Sequence, residues 1–448
     1  MANAYDIVVV GGGTAGVTAA TTARRHYPDK KVLVIRHEEK TLIPCGIPYM
    51  FGTLKADPLK NVNPDYVLEK RGIELRVGEV TGLDRNTKKI SLASGGSIGY
   101  DKLVLATGSH PVSPPIPGRD KENVFWITKS LPHLQKIFTA LDTAAKVVIV
   151  GGGFVGVEVA EEIKKHRGLD VTIVEILPCC LYSSFDEEIC VEAEHELEVL
   201  GVKILTNQKV KELTGDTRVQ GVVLADGTEL PADVVILSTG VRPITSLASK
   251  AGLTLGPLGG IMVDRTMATS DPNIFACGDC TEKFSFFAGN PVRIQLASVA
   301  SMEARVAGAN LYVRRRTNPG TVGVFSTFIG TKAFGCAGLT ERAAEEKGYE
   351  VLIGEASAPN QHPSALPGTQ DTRVKLVFDR YSGVLLGGQV VGSKSVGDLV
   401  NLLSACLLHR MTATQMAGFQ MGTHPMLTPS PAAYPLVVAA EAAATERL

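Results

Sequence analysis

Two glycine runs and one cysteine carry the residue types from which redox chemistry on a nucleotide cofactor can be built. The run Gly11-Gly12-Gly13-Thr14-Ala15-Gly16 follows the apolar stretch Ile7–Val10 and opens a helix-like segment, Val17–Arg25. Glycines at Gly11, Gly13 and Gly16 let the backbone turn tightly, approach a pyrophosphate and pack helix on strand, with the helix N–H groups facing the phosphates. Such a run alone is weak, because glycines punctuate ordinary turns; the strand before it and the helix after it make the dinucleotide reading. Gly151-Gly152-Gly153-Phe154-Val155-Gly156 repeats the pattern between Lys146–Val150 and a helix over Val157–Lys165. Gly151, Gly153 and Gly156 therefore form a second candidate pyrophosphate loop.

An acid about 20 residues beyond such a loop accepts hydrogen bonds from a ribose hydroxyl. Glu175 stands there in the second segment. Its charge repels a 2′-phosphate, which predicts NADH over NADPH; a solvated strand-end glutamate is the plainer reading. The first segment has Val34-Ile35-Arg36-His37-Glu38 at the matching place. Either Glu38 takes the ribose or Arg36 contacts the adenosine half of the cofactor, and spacing leaves both open.

Cys45 lies in Pro44-Cys45-Gly46-Ile47-Pro48-Tyr49, where prolines fix the backbone on both sides. At a helix N-terminus its thiolate would be stabilised by the dipole. By itself it reads equally as an inert thiol, since no cysteine sits near it in sequence. Cys277-Gly278-Asp279-Cys280 has CXXC spacing, but zinc would require a second ligand pair, and no metal site is predicted. Cys179 and Cys180 read as structural. Glu158, on the first turn of the second helix, and His424, before Pro425, read as readily as surface and loop residues.

The elements that must position these residues follow from the apolar periodicity. Each glycine loop is followed, after its helix, by a second apolar run, Lys31–Ile35 and Asp170–Val174. That is the start of a doubly wound unit, occurring twice. Gly11 and Gly151 are too far apart to be the halves of one Rossmann sheet, so two dinucleotide-binding domains are expected. Between them a meander over Glu74–Val80 and Lys89–Leu92 and a strand at Lys102–Ala106 lead to a proline-rich linker, Pro111–Pro117. Val202–Leu205, Gly221–Leu224 and Asp233–Leu237 are expected to close the second sheet in parallel, and Ile274–Ala276 to be a buried strand. Beyond residue 321, strand-like runs at Val322–Phe328, Val351–Ala356, Val374–Asp379 and Leu385–Val391, with helices at Thr340–Lys347 and Gly397–Leu408, read as an α+β domain.

Bulk composition agrees with a soluble enzyme. The 448 residues suffice for two to four domains, and 44% hydrophobic with 20% charged content is ordinary. A net charge of −1 gives no case for nucleic acid or an anionic membrane surface. The basic triplet Arg314-Arg315-Arg316 reads as a solvated turn. No signal peptide and no membrane span are expected, and scattered cysteines suit a cytoplasmic protein.

Taken together the motifs carry a resemblance. PCGIPY at 44–49, YDKLVLATGS at 100–109, GGGFVGVE at 151–158, DVVILSTGVRP at 233–243 and IFACGDC at 274–280, with the first loop, occur in an order and spacing similar to the pyridine nucleotide-disulfide oxidoreductase superfamily. More narrowly, the chain resembles its single-cysteine branch of coenzyme A-disulfide reductases, NADH oxidases, NADH peroxidases and NADH-dependent polysulfide or sulfur reductases. The resemblance covers essentially the whole chain.

It implies an α/β fold of two Rossmann-like dinucleotide-binding domains, for FAD and NAD, and an α+β C-terminal dimerisation domain. The expected division is 1–112 with 241–320 for FAD, 113–240 for NAD(P)H and 321–448 for dimerisation. It implies that Gly11, Gly13 and Gly16 hold the FAD pyrophosphate, Val80 meets the adenine, Thr107 and Gly108 lie beside FAD, Asp279 binds the ribityl chain, and Leu296 and Ala297 open a helix toward the flavin. Gly151, Gly153, Gly156 and Glu175 would bind NAD(P)H, Glu158 would sit near the nicotinamide, and Gly240 would join the cofactor contacts. Cys45 would lie against the flavin as the redox-active thiol.

The departures are Arg36, in place of the usual ribose-binding glutamate, and Gly422–Pro429, where coenzyme A-disulfide reductases carry a tyrosine. His-Pro there is similar to the acid–base histidine of glutathione reductase-like enzymes, so His424 is a candidate acid/base contributed across a homodimer; Tyr434 more simply packs the terminal helix. With Leu448 as the last residue, no appended rhodanese domain is expected. The expected function is transfer of electrons from NADH through FAD to Cys45, reducing a disulfide, persulfide or polysulfide, with coenzyme A a possible partner. The alternatives are an NADH oxidase or peroxidase working through a cysteine sulfenic acid, and a flavin electron-transfer or redox-sensing protein.

Overall fold

Both glycine loops connect a β-branched strand to a helix, and the strands are buried on both faces. The computed structural model describes residues 4–446. The first loop joins β1 (Ala4–Val10) to α1 (Thr14–His26), which returns to β2 (Val32–Arg36). The second joins β3 (Lys146–Val150) to α2 (Phe154–Arg167), which returns to β4 (Asp170–Val174). Ile7, Val8 and Val9 are wholly buried, as is the whole of β2. Such unbroken apolar runs are what a parallel sheet with helices on both faces requires.

The chain divides into two compact units. The first comprises the chain through Pro114, Trp126–Thr143 and Thr239–Thr321. Its sheet runs in the order Glu74–Val77, β2, β1, Ser97–Leu105, Lys89–Leu92, Val80–Asp84, and Ile274–Ala276 also pairs with Ser97–Leu105. The pairings of β1, β2, Glu74–Val77 and Ile274–Ala276 are parallel. The expected strand Glu74–Val80 is in fact two: Glu74–Val77 extends the parallel sheet, and Val80–Asp84 pairs antiparallel with Lys89–Leu92. A long helix, α3 (Ala297–Asn310), packs on α1 through small residues. A Cβ on Gly308 would stand 2.5 Å from the Ala19 carbonyl oxygen, so glycine permits the close helix approach.

The second unit comprises Pro115–Phe125, Ala144–Ser238 and the chain from Val322 onward. Its parallel sheet runs Lys203–Leu205, β4, β3, Val234–Leu237, with the short strand Val124–Trp126 at the end. Gly221–Leu224 does not join it, contrary to the parallel placement expected. It lies between Val210–Thr214 and Glu229–Pro231 in a separate antiparallel sheet. The turn explains this: Asp226 Oδ1 accepts the Thr228 N–H at 2.9 Å and Gly227 sits at φ +92°, and so tight a connection can only join antiparallel strands.

The C-terminal part is a five-stranded antiparallel sheet in the order Val324–Ile329, Lys332–Gly338, Leu385–Gly392, Asp371–Asp379, Val351–Pro359. The helix Val396–Leu408 covers the strands Lys332–Gly338 and Leu385–Gly392. The helix Pro435–Glu446 seats on Val351–Pro359, where a Cβ on Gly354 would overlap the Ala439 carbonyl. The α/β architecture with an α+β C-terminal part is thus the one expected. No described helix is long and apolar enough to cross a membrane.

Candidate functional site

The first loop is shaped for a pyrophosphate. Gly11 holds φ +118°, and a Cβ there would overlap the Ala106 carbonyl; a Cβ on Gly16 would overlap the carbonyl of Gly11. Gly13, at the N-cap of α1, provides no side-chain cap, and the first turn carries no acid. A Cβ on Gly13 would meet nothing within 4 Å. The N–H groups at this helix end therefore have no side-chain cap and no acid beside them, the condition for holding an anion.

Arg36, at the end of β2, lies against the second glycine. A Cβ on Gly12 would stand 2.6 Å from Arg36 Cδ. The residue is 4% exposed. Its Nε donates to the Glu38 carbonyl at 2.8 Å, its Nη2 to the Glu39 carbonyl at 2.5 Å, and Nη1 and Nη2 to the two Asp65 carboxylate oxygens at 2.5 and 2.9 Å. The Glu38 side chain instead faces His37, Oε1 to Nε2 at 3.3 Å. The Arg36 carbonyl accepts the Gly78 N–H at 2.7 Å, which brings the segment entering Val80 beside the end of β2.

A turn at Gly278–Thr281 connects three elements of the first unit. A Cβ on Gly278, φ +81°, would approach Ala15 of α1 at 2.7 Å and Ala300 of α3 at 3.5 Å. Glu303 of α3 accepts the Gly278 N–H at 2.9 Å, the Thr281 hydroxyl at 3.1 Å and Lys283 Nζ at 2.8 Å, all on Oε2. Asp279 on this turn accepts Ser109 Oγ at 2.7 Å and Lys129 Nζ at 3.3 Å. Thr107 donates its hydroxyl to the Ile244 carbonyl at 2.6 Å, and the carbonyl of Gly108, φ +75°, accepts the Ile244 N–H at 2.9 Å. Gly240, φ +91°, accepts the Val112 N–H at 2.9 Å. Leu296 is the N-cap of α3, which has neither a side-chain cap nor an acid in its first turn, so the N–H groups of that turn, beginning at Ala297, lack a side-chain partner from the cap. The first loop, Asp279 and the start of α3 are therefore one assembly.

Cys277 and Cys280 are wholly buried, and burial pushes both thiols upward in pKa. Cys280 Sγ donates to the Cys277 carbonyl at 3.3 Å. The CXXC spacing here builds a turn.

Cys45 sits in the 3₁₀ turn Pro44–Gly46, followed by a second, Pro48–Phe51. It is the exposed cysteine; the other seven are buried. Asn61, 2% exposed, donates from Nδ2 to the Ile43 carbonyl at 3.1 Å and to Met50 Sδ at 3.3 Å, clasping the segment on both sides of the thiol. Phe51 stacks edge-on to Phe138 with ring centres 5.1 Å apart. The helix-terminus setting expected for Cys45 is a short 3₁₀ turn, so the backbone dipole behind the thiol is that of a single turn.

The second loop repeats the first in the second unit. Gly151 holds φ +110° against the Ser238 carbonyl, Gly156 packs on the Gly151 carbonyl, and a Cβ on Gly153 would meet nothing within 4 Å. Glu175 is buried and accepts the Gly152 N–H at 2.5 Å and the Leu177 N–H at 2.8 Å, so its carboxylate lies at the second glycine. Glu158 accepts the Thr327 hydroxyl at 2.9 Å. Burial, with smaller contributions from Glu161 and Glu162, raises its carboxyl to about 7. His424 is exposed in an irregular segment, its Nδ1 accepting the Met426 N–H at 3.2 Å. Tyr434 is buried where Pro435–Glu446 begins.

Sequence reasoning did not single out Asp65, Asn61, Ser109, Lys129, Lys283 or Glu303. Each acts through a partner distant in the chain. Only the pairing of a buried Arg36 with the need for an acid nearby could have pointed toward Asp65.

Two glycine loops shaped for a pyrophosphate, each in its own compact unit, with an exposed cysteine beyond the first, are the features of a dinucleotide-dependent redox enzyme. Residues 5–304 match the pyridine nucleotide-disulphide oxidoreductase family, and residues 324–433 match its dimerisation domain. The chain belongs to this family. It is 32% identical to an NADH oxidase of Methanocaldococcus jannaschii over 92% of this chain and 93% of that protein. It is 34% identical to an NAD(P)H coenzyme A polysulfide/persulfide reductase of Pyrococcus horikoshii over 86% of this chain and 87% of that one. Among solved structures it resembles an NAD-dependent persulfide reductase from A. fulgidus, with a TM-score of 0.92 and 31% identity over 99% of this chain and 83% of the other. It is an FAD-dependent oxidoreductase that uses NAD(P)H.

Proposed function

We propose that this protein carries electrons from NADH to Cys45 and on to a sulfur–sulfur bond in a disulfide, persulfide or polysulfide. The observation that carries this reading is the exposure of Cys45 on a clasped backbone while every other cysteine is buried. FAD, when bound, accepts hydride from the nicotinamide and supplies an electron pair to sulfur. The chain's own residues do the rest. Gly11, Gly13 and Gly16 would hold its pyrophosphate, Asp279 and Thr107 would bind it, and the start of α3 would offer it N–H groups. The Cys45 thiolate attacks the acceptor, forming a mixed disulfide and expelling one thiolate. The two electrons of NADH then break that mixed disulfide, returning Cys45 as thiolate and releasing the second thiol. Per turnover one NADH and one proton reduce one S–S bond to two thiols.

Glu175 would favour NADH through the ribose hydroxyl, and Glu158 would serve the nicotinamide end. His424, offered across a homodimer built on the C-terminal domain, protonates the departing thiolate. Coenzyme A fits as the small-thiol half of the acceptor, and a reducing cytoplasm is the compartment in which such a thiol turns over. The domains that serve these roles are 1–112 with 241–320, 113–240, and 321–448.

A second reading has oxygen or peroxide as acceptor, with Cys45 cycling through a sulfenic acid. The similarity to an NADH oxidase across nearly the full length of both chains supports it. Both are tested by NADH consumption with polysulfide, coenzyme A disulfide, peroxide and air, in the wild type and Cys45→Ser. Fast turnover with S–S acceptors that vanishes in the variant is expected. A variant with full activity toward every acceptor would remove the thiol from the mechanism.

A further inference from the structure

The two nucleotide loops treat the end of their second strand in opposite ways. In the second, Glu175 places a carboxylate at the second glycine and binds the Gly152 N–H. In the first, Arg36 occupies that place, its stem against Gly12. A ribose presents hydroxyl groups that donate, and a guanidinium has no acceptor to offer them. Arg36 thus cannot do what Glu175 does. Its guanidinium is also already engaged, by two backbone carbonyls and both oxygens of Asp65.

Asp65 is the acid that this arrangement delivers. Arg36 is 3% exposed in its side chain, whereas the Asp65 side chain is 40% exposed, so the carboxylate is gripped from behind and open in front. A carboxylate has about four acceptor positions, of which the guanidinium takes two. Gly12, Val17, Arg36, Asn63, Pro64 and Asp65 line one small cleft. Glu38, the acid first expected to take the ribose, turns its side chain to His37.

We propose that Asp65, held by Arg36, is the residue that receives the adenosine-ribose hydroxyls of FAD at the first loop. The acid is supplied by a different element, and Arg36 converts from a missing ligand into a positioning residue. This rests on the first loop holding FAD, a separate matter from the electron acceptor.

The test uses full-length protein whose FAD is exchanged against excess FAD or against analogues lacking the 2′- or 3′-hydroxyl of the adenosine ribose. Retention is read as flavin fluorescence released on dilution, and FMN, which has no adenosine, is the control. The wild type is expected to lose at least one deoxy analogue about tenfold faster than FAD. Asp65→Asn is expected to release FAD about tenfold faster, to discriminate no further against the deoxy analogues, and to bind FMN as the wild type does. The pair Arg36→Glu with Asp65→Asn, which rebuilds the arrangement at Glu175, is expected to recover the discrimination. Equal retention of FAD and both deoxy analogues by the wild type would overturn the proposal, whatever the variants do. Undiminished discrimination in Asp65→Asn would overturn it as well. A protein that binds no flavin would instead overturn the FAD assignment of the loop.

Discussion

Lys283 and Glu303 form an ion pair at 2.8 Å with both side chains almost fully out of solvent, and the carboxylate oxygen that binds Lys283 also binds the Gly278 N–H. Removing one member of a buried pair leaves the other charge uncompensated, at a cost of about 3–5 kcal/mol. Lys283→Met should therefore lower unfolding stability by roughly that amount and loosen the turn that carries Asp279. Urea unfolding and flavin release on dilution measure the two effects; a variant as stable as the wild type would show that the pair does not hold the turn.

Glu158 should leave a signature in the pH dependence of stability. Its folded carboxyl sits at about 7 against an ordinary 4.5, chiefly through burial. The folded protein keeps a proton there that the unfolded chain gives up. Stability from this group is thus fully present below 4.5 and is lost as pH rises through 7. Glu158→Gln, which cannot ionise, should gain on the order of 2 kcal/mol relative to wild type between pH 4.5 and pH 8. Denaturant midpoints at those two pH values suffice, and parallel wild-type and variant slopes would count against it.

Glu175→Ala should erode selectivity for NADH. Loss of the acceptor at the ribose removes a charge-assisted hydrogen bond, about 1.5–3 kcal/mol, so kcat/KM for NADH should fall at least tenfold while that for NADPH changes less. An unaltered ratio would take Glu175 out of the ribose site.

Asn61→Ala removes the clasp around Cys45 by deleting the donor to the Ile43 carbonyl and Met50 sulfur. The cost in stability should be about 1–2 kcal/mol, from the loss of these two side-chain bonds, while the Ile43 carbonyl keeps the Gly46 N–H. The steady-state rate should fall further than stability alone accounts for, because the thiol is no longer fixed. Turnover number at saturating NADH, compared at a temperature where the variant is fully folded, separates the two; an unchanged turnover number would assign Asn61 to stability only.

Much of this was readable from residues in order. The apolar runs of β1 to β4 and the glycines between them prescribe the two loops, because a parallel strand buried on both faces has no room for polar alternation. What failed has physical causes. Gly221–Leu224 looks like a buried parallel strand, since apolar content does not say which partner a strand takes; its tight turn decided that. Lys332–Gly338 was not anticipated, because two of its seven residues are glycine and its neighbours supply the burial. The helix Glu187–Val199 was missed as well, among acids that disguise its apolar face. At the site, Arg36 showed as an anomaly in sequence. Its answer, Asp65, lies 29 residues on and acquires meaning only when the chain has folded.

The assembly of the first loop, the Asp279 turn and α3 also has a history during synthesis. Gly11–Gly16 leave the ribosome almost at once, whereas Glu303, which fastens the turn, comes near residue 300. At 5–20 residues per second, the gap is roughly tens of seconds. For that interval the glycine loop has a strand and a helix but no opposite wall. A ligand at this loop can be walled in only after the intervening segment has been made, so closure of the site comes late in a fold whose first contact was laid down at its start.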